Sequence, residues 1–254
     1  MSAQSAPYLD WRQRWLQLVD KIERVQTVGD EQQLLVRLAC PDRPFVLAFA
    51  NAHAMNALAE STPFFDALSS ADMVLRDGSG MEILFTLLKL SPGINLNGTD
   101  LIPKLLRQFN GRRIALFGTR DPYLHRGLQA VVQHLTPRSA CVSAHGYLDL
   151  AAYIALASKH QPALIVLGMG MPRQEEVAAA LRTVISHPCL IVCGGAIIDF
   201  LGGKTPRAPL WMRQVGLEWV FRLALEPRRL FHRYVIGNPL FLMRALRLAS
   251  ASRR

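Results

Sequence analysis

Three carboxylates lie in turn-like, glycine-flanked settings where acid–base chemistry could take place: Asp77, Asp100 and Asp199. A carboxylate within hydrogen-bond reach of a hydroxyl group can accept its proton while a new bond forms. Asp100 also has a structural interpretation, because it or Thr99 could cap a helix that begins near Leu101. For Asp77 the competing interpretation is an ordinary Asp-Gly turn. The residues alone leave both interpretations open.

A glycine-containing turn between a strand and a helix is the second chemical candidate. It joins an apolar strand at 163–167 to a helix at 173–186, and it contains Gly168 and Gly170. Free backbone N–H groups and the positive end of the helix converge at such a junction. The turn predicts an anion or nucleotide subsite at 168–174, or else a plain connection that needs glycine in order to turn.

Motifs for metals and common cofactors are absent from the sequence. No Asp-x-Asp pair occurs, and the seven histidines are scattered along the chain. Neither the complete Gly-x-Gly-x-x-Gly pattern nor the Gly-x-x-x-x-Gly-Lys pattern joins a strand to a helix. We therefore expect no metal and no cofactor. If a diphosphate binds, arginines and helix N-termini must neutralise it.

The positive charge is concentrated at the C-terminal end of the chain. Of a formal net charge of +10, +9 falls from Lys204 onward, where 11 lysines and arginines oppose only Glu218 and Glu226. A neutral body with a cationic end points to nucleic acid, anionic lipid or a phosphorylated substrate. No apolar stretch is long enough to span a bilayer and no secretory signal is evident, so we expect a cytoplasmic protein.

The elements that must position these residues alternate between strands and helices. From Arg113 onward the helices have the length that parallel crossovers need, which predicts an α/β, Rossmann-like body with a mostly parallel sheet. We predict strands at 34–40, 44–49, 73–75, 113–117, 140–144, 163–167 and 189–193. We predict helices at 8–24, 52–58, 63–69, 81–90, 101–109, 123–135, 149–159, 173–186, 210–225 and 240–248, with a break at Gly237-Asn238-Pro239 before the last. Trp211, Val215 and Trp219 are expected on one packed helix face, and Cys40, Cys141, Cys189 and Cys193 as buried thiols.

Seven stretches, in the same order, resemble the WecG/TagA/CpsF glycosyltransferases (glycosyltransferase family 26). The resemblance covers roughly residues 45 to 235. The stretches are 49–53, 71–80, 97–101, 146–147, 168–175, 194–199 and 207–229, the last including Gly216-Leu217-Glu218-Trp219.

This resemblance implies an inverting, metal-independent transfer of a sugar from a UDP-sugar to a polyprenyl-diphosphate-linked acceptor during assembly of a cell-surface polymer. It implies a peripheral location on the inner face of the cytoplasmic membrane. The expected organisation is an α/β body at 1–203, with an acceptor-side lobe at about 1–110 and a nucleotide-side lobe at about 111–203. A basic helical appendage at 204–254 is expected to dock on the membrane and complete the site.

The resemblance also implies roles for single residues. Asp77 is expected to be the general base, and Asn51 and Gln174 are expected to contact the donor or the acceptor. The other implied substrate-binding residues are Gly146, Tyr147, Gly168, Gly170, Asp199, Asn97 and Thr99, with Arg207, Arg222, Arg229 and Arg233 as candidates for holding diphosphate.

Two positions depart from the family pattern. Phe49 stands where many members have threonine, and Asn95 stands where many have arginine, so the sugars transferred could differ. Two alternatives belong to other classes of protein. One is a nucleic-acid-binding α/β protein that uses the basic end, and the other is an NAD-dependent oxidoreductase. A basic surface helix that only maintains solubility is the structural alternative for the appendage.

Overall fold

A seven-stranded, entirely parallel sheet forms the centre of the protein. The computed structural model describes residues 9–251. The strands lie in the order β1-β3-β2-β7-β6-β4-β5. Their bounds are β1 (Ile22–Glu23), β2 (Pro44–Ala50), β3 (Met73–Arg76), β4 (Ile114–Gly118), β5 (Cys141–Ala144), β6 (Leu164–Gly168) and β7 (Cys189–Cys193). The predicted Rossmann-like parallel sheet is confirmed. One sheet contains strands from both predicted lobes, so the division into lobes stays a prediction.

Helices cover both faces of the sheet, because successive strand residues point to opposite sides. Val46 and Ala48 of β2 belong to one core and Leu47 and Phe49 to the other. The first core is covered by α1 (Trp11–Lys21), α3 (Ala52–Glu60), α4 (Thr62–Ser69), α5 (Ser79–Leu87), α8 (Leu150–His160), α9 (Arg173–Val184) and α14 (Gly237–Ala251). The second is covered by α2 (Val28–Ala39), α6 (Gly98–Gln108), α7 (Tyr123–Ala130, continued by a π-helical turn at Val131–Leu135) and α10 (Ile197–Leu201).

The predicted strand at 34–40 is wrong, because these residues form the second half of α2. Leu34, Leu35 and Leu38 are buried together at helical spacing. The helix begins with a capping box, in which the Thr27 hydroxyl accepts from the Asp30 N–H (3.1 Å) and the Asp30 carboxylate accepts from the Thr27 N–H (2.9 Å). The Thr-x-x-Asp signal was available in the sequence.

The cysteine prediction is correct for two of the four positions. Cys189 and Cys193 are buried in β7, Cys141 is half-buried in β5, and Cys40 is exposed. The prediction fails at Cys40 because this residue ends α2 instead of lying in a strand.

The segment after residue 204 differs from its prediction in two ways. The expected helix at 210–225 is divided into α11 (Leu210–Gln214) and α12 (Glu218–Leu225) by a turn at Gly216, whose φ of +74° favours glycine. The expected break at 237–239 is wrong. Helix α13 (Pro227–Phe231), a π-helical turn (His232–Ile236) and α14 follow one another without interruption. Pro239 is the third residue of α14 and lies directly after the π-helical turn.

Helix α14 is packed into the body of the protein. Phe241 is 1% exposed and its ring lies 5.3 Å from the ring of Trp15 in α1. Arg244 donates to the Asn56 side chain (3.1 Å) and to Glu60 (2.9 Å), both in α3. The C-terminal helix therefore contributes to the first core. Within residues 9–251, no helix is both long and apolar enough to cross a membrane.

Candidate active site

The carboxyl ends of six neighbouring strands form the floor of the candidate site. Parallel strands all end at the same edge of the sheet, and ligands of α/β proteins bind outside that edge. The residues that follow the strands there are Asn51 after β2, Asp77 after β3, Thr119 after β4, Gly146 after β5, Met169 and Gly170 after β6, and Gly194 after β7.

Two cavities open above this edge. The first, of about 740 Å³, lies over β4 to β7 and contains Gly146, Tyr147 and Gln174. The second, of about 720 Å³, lies between the start of α5 and the C-terminal helices. Six residues line both cavities and form the wall between them: Asn51, His53, Asp77, Thr99, Arg222 and Arg233. A group in this wall can contact molecules bound on either side.

Asp77 lies at the centre of the shared wall. Its backbone N–H donates to the carbonyl of Ala50 (2.8 Å), and the Asn51 amide nitrogen lies 3.4 Å from its carboxylate. Burial raises the pKa of Asp77, against the opposing effects of Asn51, Arg233, Arg222 and Arg76. Asn51 is held in place because its own side-chain oxygen caps α3, accepting from the Ala54 N–H (3.0 Å).

The turn after Asp77 is fixed by side chains on both sides. Gly78 has a φ of +87°, and its N–H donates to the Asn95 side chain (2.9 Å). Arg76 is 4% exposed and donates to the carbonyl of Gly93 (2.7 Å). Asn95 thus does two things: it lines the second cavity and orients the Asp77-Gly78 turn.

Gln174 lies in the wall of the first cavity, with both ends of its amide engaged. Its oxygen accepts from the Gly195 N–H (2.9 Å), and its nitrogen donates to Glu175 (2.8 Å). Glu175 is 2% exposed, and burial raises its pKa to about 7. The two contacts set the orientation of the amide, which leaves one N–H and one lone pair of Gln174 for other partners.

The glycines of the first cavity allow close approach between loops. A β-carbon on Gly118 would lie 2.3 Å from the carbonyl oxygen of Gly168, and one on Gly168 would lie 2.8 Å from the Ile198 side chain. Larger residues would force the ends of β4 and β6 apart. Gly170, with a φ of +80°, makes the turn that leads into α9.

Two arginine side chains of the shared wall, Arg222 and Arg233, form no ion pair among residues 9–251, although the charges of both act on the pKa of Asp77. The Nε atoms of Arg222 and Arg233 are buried and have no hydrogen-bond partner within residues 9–251. Arg222 lies over the ring of Phe200 at 5.5 Å. Burial lowers the pKa of Arg233, and the positive charge of Arg222 lowers it further. Buried guanidinium Nε atoms that lack a hydrogen-bond acceptor favour an anionic ligand.

The other two predicted arginines have carboxylate partners. Arg229 lines the first cavity and pairs with Glu226, its Nη2 donating at 2.8 Å. Arg207 lines neither cavity and pairs with Asp100 through two hydrogen bonds of 2.6 and 3.2 Å. The expected capping role of Thr99 or Asp100 is wrong, because Asn97 caps α6 by accepting from the Asp100 N–H (3.0 Å). Asn97 lies two positions before Thr99 in the same polar run.

The structure brings most of the predicted site residues together. Asp77, Asn51, Thr99, Arg222 and Arg233 line both cavities; Gln174, Gly146, Tyr147, Gly168, Gly170, Asp199 and Arg229 line the first; Asn97 lines the second. Among the predicted residues, Arg207 is the one outside them. Asp199 is held by the Thr119 hydroxyl and by Lys204, whose Nζ lies 3.1 Å from both carboxylate oxygens.

Comparison with known proteins gives the family of the chain. The model of the Glycosyl transferase WecG/TagA/CpsF family matches residues 19–254. The chain belongs to this family. It is 28% identical over 194 residues (72% of this chain and 73% of the relative) to an N-acetylglucosaminyldiphosphoundecaprenol N-acetyl-beta-D-mannosaminyltransferase of Bacillus subtilis (strain 168). It is 24% identical over 219 residues (85% of this chain and 81% of the relative) to a protein of the same name from Staphylococcus aureus (strain NCTC 8325 / PS 47).

Sequence reasoning missed several residues of the site. His53 lies in the shared wall, and its pKa is lowered to about 4 by burial and by the nearby charges of Arg233 and His232. Its position two residues after Asn51 was the available signal.

Trp211 was expected on a packed helix face but is 61% exposed, whereas Trp219 lines the second cavity. Among residues 9–251, no three His, Cys, Asp or Glu side chains lie close enough together to hold a metal ion.

Proposed function

We propose that this protein transfers a sugar from a UDP-sugar to a polyprenyl-diphosphate-linked acceptor, with inversion and without a metal ion, in the synthesis of a cell-surface polymer. The observation that carries the proposal is the position of Asp77 in the wall between two cavities. A base in that position can reach an acceptor on one side while the donor lies on the other. The names of the two relatives support a polyprenyl-diphosphate acceptor and the transfer of an amino sugar.

The first cavity suits the donor. Its glycine-rich strand ends leave room for a nucleotide, and Arg222, Arg229 and Arg233 lie where a diphosphate would follow. When the bond between the sugar and the diphosphate breaks, the departing UDP gains negative charge. Preorganised cations stabilise that charge most effectively where water is excluded. The unpartnered Nε atoms of Arg222 and Arg233 can donate to the phosphate oxygens of the departing UDP.

Asp77 acts as the base of the reaction. The acceptor hydroxyl oxygen forms a bond to the anomeric carbon, its proton moves to the Asp77 carboxylate, and UDP leaves from the opposite face with the bonding electrons. Attack opposite the leaving group inverts the configuration at that carbon. The raised pKa of Asp77 makes its carboxylate a better proton acceptor than an exposed aspartate.

The C-terminal helices suit a membrane surface. Twelve large apolar side chains between residues 210 and 246 are exposed: Leu210, Trp211, Val215, Leu217, Val220, Leu225, Phe231, Val235, Ile236, Leu242, Met243 and Leu246. The exposed Arg228 and Arg247 lie among them. Exposed apolar surface combined with cations is typical of peripheral attachment to anionic lipid, where each cation contributes about 1 kcal/mol. This surface would bring the site to a lipid-linked acceptor.

Replacing Asp77 by asparagine tests the proposal. We expect sugar transfer to fall by about 10²- to 10⁴-fold while UDP binding persists, because only the proton acceptor is lost. Asp66→Asn, at an exposed position of α4, is the matched control. Chelation of divalent ions should leave the wild-type rate unchanged. In the wild type, the rate should also fall on acidification, at a pH above the ordinary pKa of an aspartate. A fully active Asp77→Asn variant would refute the mechanism.

A further inference from the structure

The first turn of α12 brings two consecutive side chains into the second cavity. Glu218 and Trp219 both line it, as does Gly216 just before them. Gly216 packs against the start of α5, where an added β-carbon would lie 3.1 Å from the β-carbon of Ser79. The loop before α12 is therefore held close to the Asp77-Gly78 turn. Any ligand of Glu218 and Trp219 would lie beside the proposed base.

The Glu218 carboxylate is available for a ligand. Its closest charged neighbour is the Arg207 Nε at 3.7 Å, which is too long for a good hydrogen bond, and its oxygens accept no hydrogen bond within residues 9–251. Burial raises the pKa of Glu218, and the nearby Asp77 and Asp100 raise it further, against Arg207 and Arg222. A half-buried carboxylate that accepts no hydrogen bond is stabilised when uncharged hydroxyl groups of a ligand donate to it.

Trp219 supplies a flat apolar surface next to that carboxylate. Its ring is half-buried and packs against Tyr234, with the ring centres 5.9 Å apart and the planes inclined at 56°. The face of an aromatic ring carries partial negative charge and attracts the partly positive C–H groups on the flat side of a sugar ring. An aromatic face beside a hydrogen-bonding carboxylate matches a pyranose, which has a flat face of C–H groups and hydroxyl groups around its edge.

We infer that Glu218 and Trp219 bind the sugar ring of the acceptor in the second cavity. This inference rests on the proposed function. The second cavity suits the acceptor because it shares Asp77 with the donor cavity, and the base must contact the acceptor hydroxyl. At about 720 Å³ it has room for a sugar and the diphosphate attached to it. Asn95 and Asn97 add polar groups to the same cavity.

Measuring donor and acceptor constants separately tests the inference. The acceptor probe is N-acetylglucosamine linked to a short-chain prenyl diphosphate, which is soluble and removes the need for membrane attachment. The donor probe is UDP-N-acetylmannosamine. The variants are Glu218→Gln, Trp219→Ala and Trp219→Phe, with Val36→Ala, which is exposed on α2 and lines neither cavity, as the control.

We expect Glu218→Gln and Trp219→Ala each to raise the KM of the acceptor by about tenfold, the effect of losing one charged hydrogen bond or one ring contact. The KM of the donor and the affinity for UDP should not change. Trp219→Phe should recover most of the loss, because it keeps an aromatic face. Val36→Ala should behave like the wild type.

Direct calorimetric binding of the acceptor probe separates this inference from the proposed function. If the wild type binds the acceptor probe and Glu218→Gln and Trp219→Ala bind it more weakly, the subsite is supported even when no sugar is transferred. The absence of sugar transfer would refute the proposed function alone. An unchanged acceptor affinity, an equal rise in the donor KM or no recovery in Trp219→Phe would overturn the subsite. If Trp219→Ala does not fold, Glu218→Gln and Trp219→Phe still decide the matter.

Discussion

The buried carboxyl group of Glu175 makes the stability of the protein depend on pH in an unusual direction. Glu175 is 2% exposed, donates nothing in its ionised form and accepts one hydrogen bond, from Gln174. Its second oxygen is buried and has no partner within residues 9–251. Burial raises the pKa of Glu175 from 4.5 to about 7, and the neighbouring charge of Glu176 adds to this effect. Glutamine at this position would keep the acceptor for Gln174 and resemble the protonated acid.

The magnitude follows from the two pKa values. Between pH 4.5 and about 7 the folded protein keeps a proton that the unfolded chain has released, so the free energy of unfolding falls as the pH rises. Each tenfold difference in proton affinity corresponds to about 1.4 kcal/mol. Above pH 7, the difference between the two pKa values of Glu175 therefore lowers the free energy of unfolding by about 3 kcal/mol. Glu175→Gln removes this loss.

Urea unfolding of the wild type and Glu175→Gln between pH 5 and pH 8 measures the effect. We expect the variant to be more stable by under about 1 kcal/mol at pH 5 and by about 3 kcal/mol at pH 8. Titration of all other groups cancels in the difference between the two proteins. Glu176→Gln changes the adjacent, exposed glutamate and should give a much smaller trend, because the charge of Glu176 is the least of the causes that raise the pKa of Glu175. A difference that stays constant with pH would refute the reasoning.

Three further predictions concern the cations, the exposed surface and the last helix. Arg222→Lys should raise the KM of the UDP-sugar about tenfold, because lysine lacks the planar fork that holds diphosphate. Arg228→Lys, outside both cavities, should leave this KM unchanged, and equal effects of the two variants would contradict the role of Arg222 in donor binding. Val215→Ser should weaken binding to anionic vesicles about fivefold in a sedimentation assay, whereas Val36→Ser, equally 63% exposed but on α2, should leave it unchanged. Phe241→Ala should lower the free energy of unfolding by about 3–5 kcal/mol in urea, and a loss under about 1 kcal/mol would show that α14 is not part of the core.

The sequence was most informative where local pattern and tertiary structure agree. The strands at 114–118, 164–168 and 189–193 are buried on both faces, so continuous apolar runs identified them. The prediction failed at 34–38, where apolar residues lie close together in the sequence. There the caps, and not the apolar run, distinguish a helix from a strand.

The site was predicted in its parts but not in its arrangement. The family motifs indicated Asp77 and Asn51, yet no sequence pattern shows that they lie in a wall between two cavities. That arrangement depends on where the C-terminal helices pack. Trp211 and Trp219 also do not share a helix face, because the turn at Gly216 places them in two separate short helices. Residues eight apart on a single helix would have stayed close to one face.

The contact between Trp15 and Phe241 joins the first described helix to the last one. Trp15 can contact Met55 of α3 early in synthesis, but its contact with Phe241 has to wait until almost the whole chain has left the ribosome. The two arginines of the shared wall, Arg222 and Arg233, are also translated late. A polypeptide released early therefore lacks both arginines and the part of the first core that α14 supplies.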